Sequence, residues 1–356
     1  MTPTVDRALV WFRRDLRADD HAALHHALRL ARQVWCLFIF DRDILDPLLA
    51  QGIVADRRVD FIHASLVELD ADLAALGRSH GVAGVGLLVR HGLASEVVPQ
   101  LAGELGVQLV MANHDDEPAA LARDALVRTR LAAAGIDLRT FKDHVLAERR
   151  EVLTAAGGRF SVFTPYKNAW LRWLQPEHLQ SHEVARHAAA LAPVQVSQAL
   201  PMPSLAELGF APSNLRELRL PTGSSGALAL LDDFMQRIAA YDQTRDFPAV
   251  KGPSYLSTHL RFGTVSIRRL ARLAWARSQA GSRGLLAGAD LHLGLQLDLA
   301  QLGAQTFDVV GQVTHRALDQ PDFGLKPLPG DADLAGLVDQ PVQQWRPYPH
   351  GLDHAP

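Results

Sequence analysis

Short apolar runs alternate with amphipathic stretches along the first 142 residues. The runs at 8–12 and 34–40 are short and rich in β-branched and aromatic residues, which favours buried strands over helices. After each run, apolar residues recur every three or four positions, as on one face of a helix, and Asp20 is the expected N-cap of the first helix. The same pattern predicts strands at 85–89, 109–112 and 138–141, and helices at 56–77, 94–105 and 118–134.

Strands that alternate with helices of this length are typical of βαβ crossovers. We therefore expect an α/β fold with a doubly wound parallel sheet covered on both faces. Because ligands of such sheets bind outside the carboxyl ends of the strands, the loops after Phe12, Phe40 and Ala112 are the expected places for a site.

The pattern changes after Lys142. Thr164 and Pro165 are typical of a helix start, with Thr as the cap and Pro as the first helical residue. Helical spacing returns from Ala227 and predicts helices through Tyr241, near 256–262 and near 266–279. The predicted organisation is an α/β domain over 1–142, a connector with one helix over 143–225, the start of an all-helical domain over 226–284, and an atypical tail over 285–356.

Composition narrows the class of protein. The single cysteine, Cys36, cannot form an internal disulfide or a cysteine zinc site, and we expect a buried thiol in a reducing compartment. The N-terminus does not have the pattern of a signal peptide, and no apolar run approaches the ~20 residues of a membrane span. The expectation is a cytoplasmic, monomeric protein without a membrane partner.

Known motifs exclude some chemistry and leave other readings open. There is no G-x-G-x-x-G after the first strand, no P-loop and no H-E-x-x-H, so neither those nucleotide folds nor a metal site is expected. The loop at 13–17 carries three Arg and one Asp, which fits a solvated loop or a contact with a ligand or another domain. The three acids at 115–117 fit a cation site or a helix N-terminus that favours acids.

The segment from Tyr241 to Arg272 is the most informative. Ser254 and Ser257 are expected to open a helix, where hydroxyls and free N–H groups suit a pyrophosphate; two capping serines are the alternative. Basic residues outnumber acidic ones by seven to two between Arg237 and Arg272. The basic residues are Arg237, Arg245, Lys251, Arg261, Arg268, Arg269 and Arg272.

A series of short segments over residues 8–272 occurs in a recognisable order. The first and most specific are Leu9-Val10-Trp11-Phe12-Arg13-Arg14-Asp15-Leu16-Arg17 with Asp20, and the stretch from Gly252 to Gly263. Between them stand Phe40-Asp41, Asn113-His114 with Glu117-Pro118, Phe141-Lys142-Asp143, Val162-Phe163-Thr164-Pro165-Tyr166 and Arg245-Asp246-Phe247-Pro248. Together they resemble the DNA photolyase and cryptochrome family over about three quarters of the chain.

The resemblance implies an antenna domain, a connector and a helical domain that binds a folded FAD. In this family, light-excited reduced flavin passes an electron to a cyclobutane pyrimidine dimer flipped out of DNA, and the dimer splits, which is a carbon–carbon lyase reaction. The residues that match the FAD contacts are Tyr241, Ser254, Leu256 and Ser257, with the serines at the phosphates. Pro253 stands where the family usually has a Thr, and it lacks the hydroxyl and the backbone N–H that the Thr offers.

Two further partners follow from the resemblance. DNA containing pyrimidine dimers is expected to meet Arg245, Lys251, Arg261 and Arg268 through its phosphates. A second, antenna chromophore would bind against the α/β domain. Ala119 and Ala120 occupy the folate-type positions and cannot hydrogen-bond a pterin, so a folate is disfavoured and the identity of this chromophore stays open.

The tail differs from the rest of the chain. Residues 1–284 carry 33 Lys and Arg against 30 Asp and Glu, whereas residues 285–356 carry 3 against 9, and all nine acids are Asp. GC-rich coding DNA read out of frame gives such a composition. We therefore expect a frameshift or truncation near Gly284, which removes most of the catalytic domain and leaves residues 227–283 marginally stable, so that loss of activity is one expected outcome.

Two other functions fit the same residues. A cryptochrome-like blue-light photoreceptor shares the fold and the FAD but does not repair DNA. An isolated α/β binding module would have no enzyme activity.

Overall fold

Five parallel strands form a single sheet in the order β3-β2-β1-β4-β5. The computed structural model describes residues 3–281, apart from 196–199, 219 and 248. The strands are β1 (Val5–Phe12), β2 (Ala31–Asp41), β3 (Leu87–Gly92), β4 (Leu109–Asn113) and β5 (Asp137–Phe141). The order reverses at β1, so the carboxyl ends of β1 and β4 flank a topological switch point.

The alternation of side chains along the central strands fills both faces of the sheet. On β1, Val10 and Phe12 point into one apolar cluster, while Leu9 and Trp11 point into the other. The neighbouring strand β2 divides in the same way, so its whole run from Val34 to Asp41 is buried. A sheet buried on both faces needs continuous apolar strands, which is why the runs at 8–12 and 34–40 were recognisable.

Helices cover both faces and continue into the second half of the chain. They are α1 (Ala22–Leu30), α2 (Arg42–Ala50), α3 (Arg57–Ser79), α4 (Ala94–Leu105), α5 (Pro118–Ala133), α6 (Phe163–Trp173), α7 (Gly223–Arg237), α8 (Tyr241–Thr244), α9 (Ser257–Arg261) and α10 (Ile267–Gly281). Together with the parallel sheet they confirm the predicted α/β fold followed by helices. None of the helices in the described part of the chain combines the length and apolar content that crossing a bilayer requires.

Two predicted helix starts were wrong. His21, not Asp20, caps α1, because its Nδ1 accepts a hydrogen bond from the backbone of Leu24 at 3.0 Å. Asp20 adopts a left-handed φ of 47° and uses its carboxylate elsewhere. Helix α6 begins two residues early, at Phe163 with Val162 as the N-cap, so Thr164 lies inside the first turn and is not the cap.

The connector is packed against the sheet. The backbone N–H of Ala192 donates to Val34 of β2 at 2.9 Å, and Leu191 forms an isolated parallel bridge with Val34. Leu208 and Phe210 join the apolar cluster on one face of the sheet. The described residues belong to one compact unit, and the domain boundaries at 142, 225 and 284 stay predictions. The predicted tail at 285–356 lies outside the described residues.

Candidate functional site: a buried ion-pair network and a candidate cofactor loop

Two buried arginines and two buried aspartates join the α/β part of the chain to α10. Arg17 donates to Asp143 Oδ2 at 2.6 Å, and Arg268 donates to Asp143 Oδ1 at 2.7 Å. Arg268 also pairs with Asp20 Oδ1 at 2.9 Å, and all four side chains are nearly inaccessible to solvent. Each charge therefore has an opposite charge at hydrogen-bond distance, as burial of ions requires.

The environment fixes the charge state of the two carboxylates. Burial alone would raise the pKa of Asp143, but the guanidinium groups of Arg17 and Arg268 hold it far below its usual range. Burial likewise opposes ionisation of Asp20, and Arg268 together with the hydroxyl of Ser266 lowers its pKa. Both carboxylates are ionised near neutral pH.

This network corrects one predicted DNA contact. All three guanidinium nitrogens of Arg268 donate to Asp20 or Asp143, and its side chain is 6% exposed. A DNA phosphate could reach it only by breaking a buried ion-pair network. The prediction that Arg268 contacts DNA is therefore wrong for this structure, and Arg268 instead holds α10 against the α/β part.

The 13–17 loop packs against the backbone before α10, far along the chain. The N–H of Leu16 donates to the carbonyl of Phe262 at 3.1 Å, and Arg17 donates to the carbonyl of Gly263 at 3.0 Å. Gly263 has a φ of 63°, and a Cβ there would stand 2.2 Å from the carbonyl oxygen of Arg14. Only glycine allows the two backbones to approach this closely.

Charged side chains surround the switch point at the carboxyl ends of β1 and β4. Arg13 donates to both carboxylate oxygens of Asp124 at 2.7 Å and also to the backbone carbonyl of Asn113. Asn113 donates to Asp15 Oδ2 at 2.7 Å. The guanidinium groups of Arg13 and Arg123 lie 4.8 and 5.0 Å from the ring centre of Trp11, which is buried at the end of β1.

The acids that follow β4 pair with arginine. Arg14 donates to Asp115 at 2.8 Å and to Glu117 at 2.6 Å. Glu117 is the N-cap residue of α5 but makes no side-chain capping bond. Although burial opposes its ionisation, Asp115 has a lowered pKa because Arg14 and Arg13 lie close to it. These acids therefore neutralise the charge of Arg14 in the 13–17 loop.

The predicted FAD residues lie along and beside α7. Tyr241, the first residue of α8, packs in a buried cluster with Phe234 and Ile238. Leu256 packs in a neighbouring cluster with Leu231, also on α7. Ser257 is exposed at the start of α9, and Ser254 is half-buried three residues earlier. We call residues 251–257 the cofactor loop.

Arg237 holds the cofactor loop in place. From the last turn of α7 it donates to three successive carbonyls, those of Lys251 at 2.8 Å, Gly252 at 2.5 Å and Pro253 at 2.7 Å. Its charge is balanced by Asp233 at 3.0 Å. A planar guanidinium can serve several acceptors at once, so a single side chain fixes the path of the loop.

A close approach fixes the loop from the other side. A Cβ on Gly252 would stand 2.6 Å from the carbonyl oxygen of Thr244 and 2.9 Å from the backbone nitrogen of Arg245. The loop therefore touches the end of α8, the helix that begins with Tyr241. Tyr255 has a left-handed φ of 58°, which leaves its side chain 45% exposed.

The donor set of the loop fits a phosphate group. The hydroxyl of Ser257 is exposed and makes no hydrogen bond to any described residue, and that of Ser254 makes one long contact, 3.4 Å from the N–H of Leu256. Because α9 has only five residues, its dipole is small, and the hydroxyls themselves must provide the anion contacts. The predicted helix near 256–262 is confirmed as the shorter α9, with Ser254 outside it.

The three other predicted DNA contacts lie at or near the surface beside acids. Lys251 pairs with Asp233 at 2.8 Å, Arg261 with Glu117 at 2.9 Å, and Arg245 lies 3.7 Å from Asp246. Exposed pairs of this kind are weak and can exchange a carboxylate for a phosphate.

Sequence reasoning missed the structural roles of Arg237 and Asp143. Arg237 stands among the basic residues between 237 and 272, and Asp143 stands in the segment Phe141-Lys142-Asp143. The sequence shows the charge of each residue and its neighbours along the chain. It does not reveal that Asp143 pairs with Arg268, 125 positions away.

Comparison with known proteins agrees with this architecture of a doubly wound α/β sheet followed by helices. The DNA photolyase family model matches residues 8–187. The chain is 36% identical over 280 residues to a deoxyribodipyrimidine photo-lyase of Halobacterium salinarum, which covers 75% of this chain and 54% of that protein. The chain belongs to the DNA photolyase family, whose members include cryptochromes.

Solved structures share the fold. A class III photolyase from Agrobacterium tumefaciens aligns with a TM-score of 0.70 at 23% identity, covering 91% of this chain and 62% of that one. A cryptochrome from Synechocystis sp. PCC6803 aligns with a TM-score of 0.67 at 21% identity, covering 88% and 62%. The chain spans a little over half the length of the curated relatives that it matches.

Proposed function

We propose that this chain is a photolyase-type flavoprotein that binds FAD at the cofactor loop and acts on cyclobutane pyrimidine dimers in DNA. The observation that carries this proposal is the cofactor loop itself, held by Arg237 and Gly252 with two serine hydroxyls available. Membership of the DNA photolyase family supports it.

The residues of the loop divide the work of binding. Ser254 and Ser257 donate hydrogen bonds to the phosphates, and Leu256 anchors the loop in the apolar cluster beside α7. Tyr241 packs beneath the site and keeps α8 against α7. FAD, when bound, supplies the light-excited electron donor, and the protein contributes position and exclusion of water.

Binding to DNA is assigned to Arg245, Lys251 and Arg261. With three phosphate contacts, an increase in salt from 50 to 200 mM weakens binding by about fortyfold. Changing all three to Gln removes most of this salt dependence, while Arg139→Gln, on an exposed arginine of β5, leaves it unchanged. Salt-independent binding would contradict the assignment.

An antenna chromophore is proposed for the carboxyl end of the sheet, where ligands of doubly wound folds bind. Ala119 and Ala120, in the first turn of α5, offer no side-chain hydrogen bond to a pterin, so a folate remains disfavoured.

Two measurements test the proposed function. Flavin absorbance of the purified chain shows whether the cofactor loop binds FAD, and Ser254→Ala with Ser257→Ala should lower the flavin content. Light-dependent loss of thymine dimers from an irradiated oligonucleotide then tests the lyase reaction. Flavin without repair favours a cryptochrome-like photoreceptor. Absence of flavin leaves an α/β binding module.

A further inference from the structure

Asp20 combines complete burial with an uncommon backbone conformation. It lies between the 13–17 loop and α1, has a left-handed φ of 47°, and is inaccessible to solvent. Aspartate tolerates this region of φ better than most residues do, but such a conformation persists only where the surrounding structure fixes it. The carboxylate contacts of Asp20 lead to the start of α10, far along the chain.

The carboxylate of Asp20 holds the first turn of α10 at two points. Its Oδ2 accepts a hydrogen bond from the hydroxyl of Ser266 at 2.6 Å, and its Oδ1 pairs with the guanidinium group of Arg268 at 2.9 Å. The same Ser266 hydroxyl accepts from the backbone N–H groups of Arg268 at 3.2 Å and Arg269 at 3.4 Å, as an N-cap does. Asp20 therefore fixes the cap of α10 as well as its first charged side chain.

The start of α10 also packs against the cofactor loop. Val265, immediately before the cap, and Leu270, in the first turn of α10, belong to the buried apolar cluster that contains Leu256. Leu256 precedes Ser257, one of the two serines proposed to hold the FAD phosphates. Because a close-packed cluster has little free space to absorb a displacement, movement of residues 264–270 passes to Leu256 and the serine beside it.

A second set of contacts joins residues 264–270 to α9. The N–H of Thr264 donates to the carbonyl of His259 at 3.0 Å, and the Thr264 hydroxyl lies 2.7 Å from Nδ1 of the same histidine. Both residues are buried, and His259 lies in the helix that begins with Ser257. The position of Ser257 therefore depends on the start of α10 through hydrogen bonds as well as through apolar packing.

We propose that Asp20 is a positioning residue for FAD, which holds the hydroxyl of Ser257 in place through Ser266 and residues 264–270. The inference rests on the proposed function, because it takes the cofactor loop as the FAD site. It adds a role for the α/β part of the chain, whereas Arg237 holds the loop directly from α7. Loss of the Asp20 carboxylate loosens the start of α10 and, with it, the phosphate contact at Ser257.

Two measurements on the full chain test this inference. Asp20→Asn should raise the Kd for FAD by about tenfold, because a charge-assisted contact that orders the site is lost. Amide hydrogen exchange in residues 251–257 of the flavin-free protein should become about tenfold faster. Ser266→Ala leaves the pair of Asp20 with Arg268 in place and should change both quantities in the same direction by a smaller factor. This milder variant decides the question if Asp20→Asn does not fold.

Leu131→Ala is the control for a loss of stability alone. Leu131 lies on α5 and is fully buried in the apolar cluster on the other face of the sheet, which does not include Leu256. The cavity that it leaves should lower the unfolding midpoint at least as much as Ser266→Ala does. FAD affinity and amide exchange in residues 251–257 should nevertheless stay unchanged, because exposed loops exchange through local opening.

A double-variant cycle tests the path from Asp20 to the cofactor loop. If Asp20 acts through residues 264–270 and Leu256, the loss of FAD affinity in Asp20→Asn combined with Leu256→Ala is smaller than the product of the two single losses. A role in general stability alone gives the full product.

Three results would overturn the inference. These are FAD affinity and loop exchange that stay unchanged in Asp20→Asn and Ser266→Ala, equal changes in Leu131→Ala, and the full product in the cycle. If the unaltered chain binds no FAD, the proposed function fails, and amide exchange in the flavin-free variants then decides by itself whether Asp20 positions the loop.

Discussion

Arg268 and Asp143 form a buried ion pair, 2.7 Å long, between α10 and the segment that follows β5. We expect Asp143→Asn to destabilise the protein by about 3–5 kcal/mol, because it leaves the buried guanidinium group of Arg17 without a counter-charge and leaves Arg268 with Asp20 alone. Urea unfolding measures the change. Asp137→Asn, which breaks the exposed pair with Arg139, is the matched control and should have little effect. Equal effects would show that the network contributes no more than a surface pair.

Gly263→Ala should be more costly than Gly52→Ala. Both glycines have a left-handed φ, 63° and 78°, so alanine is strained by about 1 kcal/mol at either position. A Cβ at Gly52 meets nothing within 4 Å, whereas at Gly263 it meets the backbone of Arg14 and Asp15. The additional clash should cost at least about 2 kcal/mol in unfolding free energy. Similar losses in the two variants would mean that the contact with the 13–17 loop yields easily.

The strands of the sheet could be predicted closely because each one is marked by a continuous apolar run in the local sequence. The apolar runs at 34–40 and 109–112 lie within β2 and β4, since strands buried on both faces need continuous apolar sequence. Helix α2 was missed. Its apolar residues Ile44, Leu45, Leu48 and Leu49 recur at helical spacing, but the segment has only nine residues and includes Pro47, so it was not recognised as a helix. Asp41 caps it by accepting a hydrogen bond from the N–H of Asp43.

The candidate site was predictable only where a residue's role is local. Residue type and spacing placed Ser254 and Ser257 at a helix start, and Ser257 is the first residue of α9, while their role toward FAD stays a prediction. Arg268 was misassigned because its partners, Asp20 and Asp143, lie 248 and 125 positions away in the sequence, and charge alone does not distinguish a surface contact from a buried pair. The same limit explains why Asp20 was read as a helix cap.

Arg237 is expected to act as a positioning residue for FAD. Arg237→Gln removes the donors to three loop carbonyls and should lower FAD affinity about tenfold, and Arg237→Lys should rescue little because an ammonium group lacks the planar fork. Limited proteolysis should show faster cleavage in residues 251–257. Lys251→Gln removes the other cation on Asp233 without freeing the loop, and its FAD affinity should match that of the unaltered chain. Slow cleavage together with weak FAD binding in Arg237→Gln would contradict a positioning role.

Stability should fall as the pH drops from about 6.5 to about 4. His259 is fully buried, and burial lowers its pKa from 6.5 to about 4, as it does for His26 and His182. Unfolded imidazoles take up protons in this window while the folded ones stay neutral, so protonation favours unfolding. For His259 the dependence is at most about 1.4 kcal/mol per pH unit.

Urea midpoints at pH 7, 6 and 5 measure this effect. His259→Gln removes one site of proton uptake, so its stability should vary less steeply over the same range, even if its stability at pH 7 is lower. Stability that is constant or rises toward pH 5 would contradict the expected sign.

Cys36 is the only thiol of the chain and lies in the middle of β2, opposite Val10 on β1 and Leu87 on β3. It is buried, and burial raises the pKa of the thiol, so neither access nor ionisation permits reaction in the folded state. The rate at which a thiol reagent labels the chain therefore reports how often the central strands separate. Because the chain has no second cysteine, labelling of Cys36 measures the opening of the sheet without background from another thiol.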